Sequence, residues 1–381
     1  MKVFYWSPHI DQVATVRAVI NSAHSLCLYS KKKYIPYIIN VAGEWDQYLS
    51  ELHQKNIKVI YLTNSKIIKN KNIKGFVRSR IMYFYIFLIA FFPLLKLFKN
   101  NKPDYFIAHL ITPLPLLINY IFNIKTKFIL RISGLPKLKN LRLFIWKITL
   151  KKVDLITCPT LGTKNHIKEK ELIGHEKIFL LYDPVISPKL IQEKKKIPLN
   201  NFKFDNYFLS IGRLTKQKNF IFLVNAFKKF NKNKNYKLII IGEGEERDTI
   251  QKIIKDNNLD DSVFLIGYKK NVFNYFIRSK CFILSSLWED PGFVLIEAGY
   301  MNIPIISSDC KNGPTEFLDN GIGGILYKSN NEKSLLDSFS KFESLEFDQI
   351  NKFRINSKKS SRNFSIFKHY NDLSQILKKY E

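Results

Sequence analysis

Short apolar runs separated by helical spacing set the first expectation. Val3–Trp6, Ile35–Val41, Lys58–Leu62, Asp104–Ala108, Lys127–Arg131, Leu155–Cys158 and Ile178–Leu181 read as seven buried strands. Val13–Leu28 places Val16, Val19, Ile20 and Ala23 on one helical side, and a second helical segment surrounds Trp45–Lys55. The alternation restarts with Tyr207–Ile211, Leu238–Ile241, Val263–Ile266, Cys281–Leu284, Pro304–Ser307 and Gly324–Tyr327 as six more strands. Helices fall near Asn219–Asn231, Glu245–Asn257, Asn271–Ser279, Phe293–Met301 and Glu332–Phe342, and Phe364–Lys379 closes the chain with helical composition. Strands alternating with helices predict an α/β protein with parallel sheets covered on both faces. Between the two series, residues 187–206 are polar, Lys-rich and weakly periodic, which predicts a linker. The expected division is 1–186, 187–206, 207–362 and a terminal helix over 363–381.

Length and charge sharpen the picture. A chain of 381 residues with 46% apolar content suits two domains, each with its own core. The net charge of +29 implies an anionic partner: a phosphorylated substrate, an anionic membrane surface or nucleic acid. Nucleic acid is disfavoured, because the aromatics sit in apolar segments rather than interleaved with Lys on a polar face. Cys27, Cys158, Cys281 and Cys310 are far apart and form no C-x-x-C, so reduced thiols in a cytosolic protein are expected. The start runs straight into a strand and lacks the features of a signal peptide.

Ile81–Leu95 is almost wholly apolar, interrupted only by Pro93. At about fifteen residues it falls short of the ~20 a membrane span needs. It follows Lys66, Lys69, Lys71, Lys74, Arg78 and Arg80. Basic joined to apolar suits an anionic membrane surface; a solvated basic face beside a core helix fits equally well.

The chemistry concentrates in the second half. Leu287–Glu297 reads Leu-Trp-Glu-Asp-Pro-Gly-Phe-Val-Leu-Ile-Glu. Glu289 sits in the loop after a strand, and Glu297 lies on the order of 6–8 Å along the helix that follows. Gly292 admits close backbone approach, and the N–H groups of Gly292, Phe293 and Val294 open a helix, a place that favours phosphate. Earlier, Gly212-Arg213-Leu214-Thr215-Lys216-Gln217-Lys218-Asn219 follows the first strand of the second half. Its Arg213 and Lys218 can clamp a diphosphate. Gly242 and Tyr268 close two further strand ends. No Asp-x-Asp pair and no His/Cys cluster with metal-ligand spacing occurs, and no G-x-x-x-x-G-K-[ST] marks an ATPase.

Glu289 and Glu297, seven residues apart, resemble the E-x7-E element of family 4-type retaining glycosyltransferases, the group 1 glycosyltransferases. Gly212–Asn219 resembles their G-R-x-x-x-x-K-(N/G) element, and Gly242-Glu243-Gly244 their G-x-G. The resemblance implies two Rossmann-like domains facing across a cleft (GT-B), with a terminal helix crossing back to the first. It implies a nucleotide-diphosphate-sugar donor held by the second domain and no cofactor or metal. Arg213 and Lys218 would neutralise the leaving diphosphate. Glu297 would hold the ribose, Glu289 the sugar and diphosphate, and Tyr268 would lie near the base. In the first half, His109 resembles the family's strand-end His. Arg131 and Ser133 stand where many relatives have His-Gly, and with Asp11 they are the candidates for the acceptor side. The implied acceptor is a lipid-linked glycan in bacterial surface polysaccharide assembly, O-antigen, lipopolysaccharide or capsule, at the inner face of the cytoplasmic membrane. Two rivals stand beside this reading: a sugar-nucleotide epimerase of the same architecture, which the paired motifs speak against, and a non-catalytic nucleic-acid-binding protein, which the placement of the aromatics disfavours.

Overall fold

The computed structural model describes residues 1–10, 14–65, 76–136, 140–199 and 202–381. Asp11 and the basic run at Lys66, Lys69, Lys71 and Lys74 lie outside them. The chain forms two compact units: Met1–Pro184 with Ile366–Glu381, and Val185–Ser365.

The first unit is built on seven parallel strands: β1 (Lys2–Trp6), β2 (Ile35–Asn40), β3 (Lys58–Tyr61), β4 (Tyr105–Ala108), β5 (Lys127–Arg131), β6 (Leu155–Cys158) and β7 (Ile178–Leu180). Their order is β3-β2-β1-β4-β5-β6-β7. The second unit has six: β8 (Tyr207–Ile211), β9 (Leu238–Ile241), β10 (Val263–Leu265), β11 (Ser279–Leu284), β12 (Ile305–Ser308) and β13 (Ile325–Tyr327), ordered β10-β9-β8-β11-β12-β13. Each expected strand is present, with bounds within two residues. Inner strands such as Tyr207–Ile211 and Leu238–Ile241 are buried along their whole length, because helices cover both faces of each sheet. Both sheets are doubly wound. Strand order reverses between β1 and β4 in one and between β8 and β11 in the other, and ligands of such sheets bind at the carboxyl ends there.

Three expectations need correcting. The helix expected over Ile81–Leu95 runs from Phe76 to Asn101, with Pro93 inside it. Its stretch Arg80–Asn101 is 22 residues long and contains an 18-residue window of mean hydropathy 2.1, enough to cross a membrane by length and composition, so the argument from shortness fails. Leu94, Leu97 and Phe98 are buried beyond the proline, and that packing holds the last turns. Phe98 lies 4.8 Å from the Phe106 ring of β4. Second, the stretch expected as a linker carries a helix, Pro188–Lys195, entered through a proline at its first position and anchored by buried Ile191. Third, the sequence reading missed several helices, among them Pro113–Phe122, Asn140–Thr149 and Phe347–Ser361. The last opens with a capping box between Glu346 and Gln349.

The terminal helix, Ile366–Lys379, belongs to the first unit and packs on the helix Ala14–Tyr29. Leu373 and Leu377 enter the cluster that holds Val19, Ile20 and Ala23. Burial lowers the His369 pKa to about 3, so the ring is neutral. Its Nδ1 therefore donates to Tyr182 O at 2.7 Å, and its Nε2 accepts from Ser22 Oγ at 2.8 Å. Ser22 Oγ lies 3.0 Å from Tyr5 Oη. Leu377→Ala leaves a cavity under this helix. We expect it to destabilise the first unit by about 2–5 kcal/mol in urea unfolding, with the second unit's transition unmoved. An unchanged first transition would show that the helix is dispensable to the core.

Candidate functional site

Two loops meet at the reversal point of the second sheet. The first follows β8 and holds Gly212–Asn219; the second follows β11 and runs from Ser285 to Gly292. Ser210 Oγ donates to Ile283 O at 2.7 Å and ties the two parent strands side by side. Gly212 N donates to Ile241 O at 2.9 Å, and Leu214 N to Glu243 O at 2.9 Å. A Cβ on Gly242 would fall 1.8 Å from Gly212 O, so only glycine lets the loops after β8 and β9 touch there. A Cβ on Gly212 would meet the Lys218 stem at 3.2 Å, which shows that stem lying across the glycine.

Lys218 reaches over to Glu289. Its ammonium makes an ion pair with Glu289 Oε1, and Ser286 Oγ donates to the same oxygen at 2.6 Å. Both charged side chains are largely withdrawn from solvent, at 14% and 6% exposure. The loops are pinned around the pair: Ser285 Oγ donates to Lys218 O at 2.7 Å, Leu287 N to Gln217 O at 2.8 Å, and Gln217 Nε2 to Trp288 O at 2.8 Å. Removing one member of such a buried pair leaves the other uncompensated, at a cost of about 3–5 kcal/mol.

Gly292 follows, at φ +96°, a conformation that favours glycine. A Cβ there would touch the Glu289 side chain at 3.4 Å. Gly292 caps the helix Phe293–Tyr300, whose Leu295 and Ile296 amides turn back to Gly292 O. The amides of Phe293 and Val294 precede the first intrahelical acceptors and open the helix toward an anion. The helix is held from behind by Phe347–Ser361. A Cβ on Gly299 would sit 3.0 Å from Ser357 O. Glu297 lies one turn along, and its burial raises its pKa to about 7, opposed by the charge of Lys194.

Arg213 shares the loop with Lys218 but projects as an exposed side chain, with no ion pair among the described residues. Tyr268 follows Gly267, at φ +74°, at the end of edge strand β10 and is largely exposed. Two strand spacings, about 10 Å, separate that end from β8. The structure thus brings together Lys218, Glu289, Gly212, Gly242, Gly292 and the start of the helix at Phe293 and Val294. It holds Glu297 one turn away and leaves Arg213 and Tyr268 at the periphery. Ser286, which orients Glu289, was missed; its only trace in the sequence is a polar residue just past an apolar strand.

In the first unit, His109 ends β4 at that sheet's reversal point, its amide donating to Trp6 O at 2.8 Å. Burial, with Arg131 and His369 nearby, holds its pKa well below the ordinary value, and its buried Nδ1 has no hydrogen-bond partner. Arg131 does not face outward as an acceptor-side residue would. Its guanidinium is buried, donating to Leu181 O at 2.7 Å and to Asp183 Oδ1 at 2.6 Å. Asp183 is far along the sequence, so nothing local announced the pairing. Ser133 Oγ lies 3.5 Å from His109 O. No group of three His, Cys, Asp or Glu side chains with metal-binding placement occurs among the described residues.

Residues 191–360 match the family model described as Glycosyl transferases group 1. Over this stretch, a little under half of the chain, the sequence is similar to the group 1 glycosyltransferases. The matched residues contain Gly212, Arg213, Lys218, Gly242, Tyr268, Glu289, Gly292 and Glu297. An uncharacterized glycosyltransferase, MJ1059, of Methanocaldococcus jannaschii is 36% identical over 60% of this chain and 61% of its own length. The chain thus spans about three fifths of that relative. A Campylobacter jejuni alpha-1,4-N-acetyl-D-galactosaminyltransferase, whose name gives a glycan on PP-undecaprenol as its acceptor, is 27% identical over 88% of this chain and 87% of its own length. Among solved structures, Anabaena HepE in complex with UDP superposes with a TM-score of 0.72 at 14% identity and full coverage of both chains. At that identity the likeness shows the fold, two Rossmann-like domains of the GT-B class.

Glu44, after β2, is more deeply buried than the half-buried Glu297; it accepts from the Val41 and Ala42 amides at 2.9 and 2.8 Å, and burial raises its pKa to about 7 as well. For Glu44 and Glu297 the folded pKa exceeds the unfolded one. Their contribution to stability is full below pH ~4.5 and is lost as pH rises through about 7. Glu297→Gln should therefore flatten the fall in second-unit stability between pH 5 and 8 by on the order of 2 kcal/mol in urea unfolding. An unaltered slope would contradict the raised pKa of Glu297.

Proposed function

We propose that the chain is a retaining glycosyltransferase that moves a sugar from a nucleotide-diphosphate-sugar to a lipid-linked glycan. The setting is assembly of a bacterial surface polysaccharide such as O-antigen, lipopolysaccharide or capsule. The observation that carries this reading is the Lys218–Glu289 pair beside the Gly292 helix start, at the reversal point of the β8–β11 sheet. A diphosphate brought to that helix start meets the Lys218 ammonium and competes with Glu289 for it. Arg213, exposed on the same loop, closes on the other side. These cations and the helix amides carry the leaving group's charge with no divalent ion or other cofactor.

The remaining donor contacts follow from position. Glu297, a turn into the helix, takes the ribose hydroxyls, and Tyr268, at the far end of the sheet's carboxyl edge, borders the base. The backbone of Gly212 and Gly242 lets the donor approach closely. Freed from Lys218, Glu289 turns to the sugar. In the reaction the anomeric C–O bond to the diphosphate breaks, and a new C–O bond forms to the acceptor oxygen on the same face. The acceptor's proton passes to the leaving phosphate oxygen, so no nucleophilic side chain is required. His109, neutral at physiological pH, serves by hydrogen bonding rather than by titration. Acceptor recognition falls to the first unit, near His109 and Ser133, with Asp11 retained as a candidate. The named acceptor of the Campylobacter relative supports a polyprenyl-linked glycan, and a peripheral position on the inner face of the cytoplasmic membrane suits such an acceptor.

Incubation with a panel of nucleotide-sugars tests this, reading sugar transfer and release of nucleoside diphosphate. We expect turnover with one class of donor and no loss on adding EDTA. Glu289→Gln, which keeps the shape, and Lys218→Met should each lower kcat on the order of 100-fold. Near-normal turnover in both variants, or epimerised donor in place of transfer, would overturn the assignment.

A further inference from the structure

We propose that the first unit docks on an anionic lipid bilayer through the outer face of the helix Phe76–Asn101 and the adjoining end of the helix Pro113–Phe122. The inner face of the long helix is committed to the core: Met82, Ile86, Ala90, Leu94 and Phe98 are buried in the cluster that holds Phe4 and Phe106. Its outer face is not covered. Ile81, Phe84, Leu88 and Phe92 are 63%, 65%, 56% and 75% exposed. At 3.6 residues per turn these four fall within an arc of about 80° and form one stripe about 16 Å long. Four large apolar side chains in one exposed row on a helix mark an interaction surface, not scattered surface residues.

The neighbouring helix extends the apolar surface at the Phe92 end. Phe91 packs against Phe92 at 5.2 Å and against Phe122 at 6.4 Å between ring centroids. Ile121 and Phe122 are themselves exposed. Positive charge gathers beside them. Lys152 Nζ donates to Asn123 Oδ1 at 3.1 Å, which sets an ammonium next to Phe122. Lys96 and Lys99 continue the long helix just past the stripe, and both are exposed.

The charge balance selects the partner. Residues 62–153 contain eighteen Lys and Arg and one acidic residue, Asp104. Apolar side chains flanked by cations, with almost no carboxylate across that segment, complement anionic headgroups above acyl chains. The same geometry decides between lying on the bilayer and crossing it. A span would have to strip Met82, Ile86, Ala90, Leu94 and Phe98 from the sheet they cover, so the helix rests along the interface with only its outer stripe inserted.

The docking face builds on the proposed lipid-linked acceptor, but it can be tested without catalysis. The full chain is floated with vesicles of phosphatidylglycerol and phosphatidylcholine, or of phosphatidylcholine alone, and nucleoside-diphosphate binding is followed in parallel by calorimetry. We expect wild type to float with the anionic vesicles and to stay behind with the zwitterionic ones. Phe84→Gln, Leu88→Gln and Phe92→Gln combined should lower the floated fraction at least fivefold, with circular dichroism, thermal midpoint and nucleotide affinity unchanged. Lys96→Gln with Lys99→Gln should weaken flotation at low salt. A folded triple variant that floats like wild type would overturn the docking face. So would a wild type that ignores anionic vesicles while binding nucleotide, or one that dimerises in light scattering until the triple substitution makes it monomeric. Loss of nucleotide binding with flotation intact would instead count against the transferase reading alone.

Discussion

The ion pair between Lys218 and Glu289 is the interaction on which the second unit's site depends. Two charges withdrawn from water cost free energy unless their geometry is fixed and their remaining valences are met. The structure meets that condition with side-chain donors: Ser286 gives Glu289 a second donor, and Ser285 and Gln217 lock the two loops to each other. None of this would hold if β8 and β11 were not neighbours. Their adjacency is a consequence of the doubly wound order, which places the loop after the first strand against the loop after the fourth. Behind them, Gly299 lets the helix Phe347–Ser361 press on the helix Phe293–Tyr300 and keeps the anion-favouring end of the latter aimed at the pair.

The first unit repeats the topology with different chemistry. Its reversal point carries His109 in place of an ion pair, and its buried charges serve the core. Arg131 and Asp183 join the end of β5 to the segment after β7. His369 and Ser22 join the terminal helix to the first one. His109 stands near Arg131 and His369 with its Nδ1 unpartnered, and burial keeps its ring neutral. One fold class thus offers two reversal points, one cationic and anion-favouring, the other buried and uncharged at its centre.

Much of the fold was legible because parallel strands are continuous apolar runs bounded by turns. Leu155–Cys158, Tyr207–Ile211 and Leu238–Ile241 agree residue for residue. Helices were less legible where packing overrides local signals. Pro93 suggested a break that Leu94 and Phe98 prevent, and Pro188 suggested a linker although proline suits the first turn of a helix. Phe347–Ser361 has few apolar residues, and only its capping box marked it. In the site, spacing located Glu289, Gly292 and Glu297, since a loop and a helix start are local features. Arg131's partner lies 52 residues away and Lys218's 71 residues away, distances over which one sequence carries no pairing information. The exposure of Arg213 was equally beyond reach.

The most direct measurement is a crystal structure of the full chain with a nucleoside diphosphate bound. The account predicts phosphate oxygens within hydrogen-bond distance of the Phe293 and Val294 amides and of Lys218 Nζ, with Glu289 drawn off the ammonium. A diphosphate bound elsewhere, with Lys218 and Glu289 still joined, would contradict it.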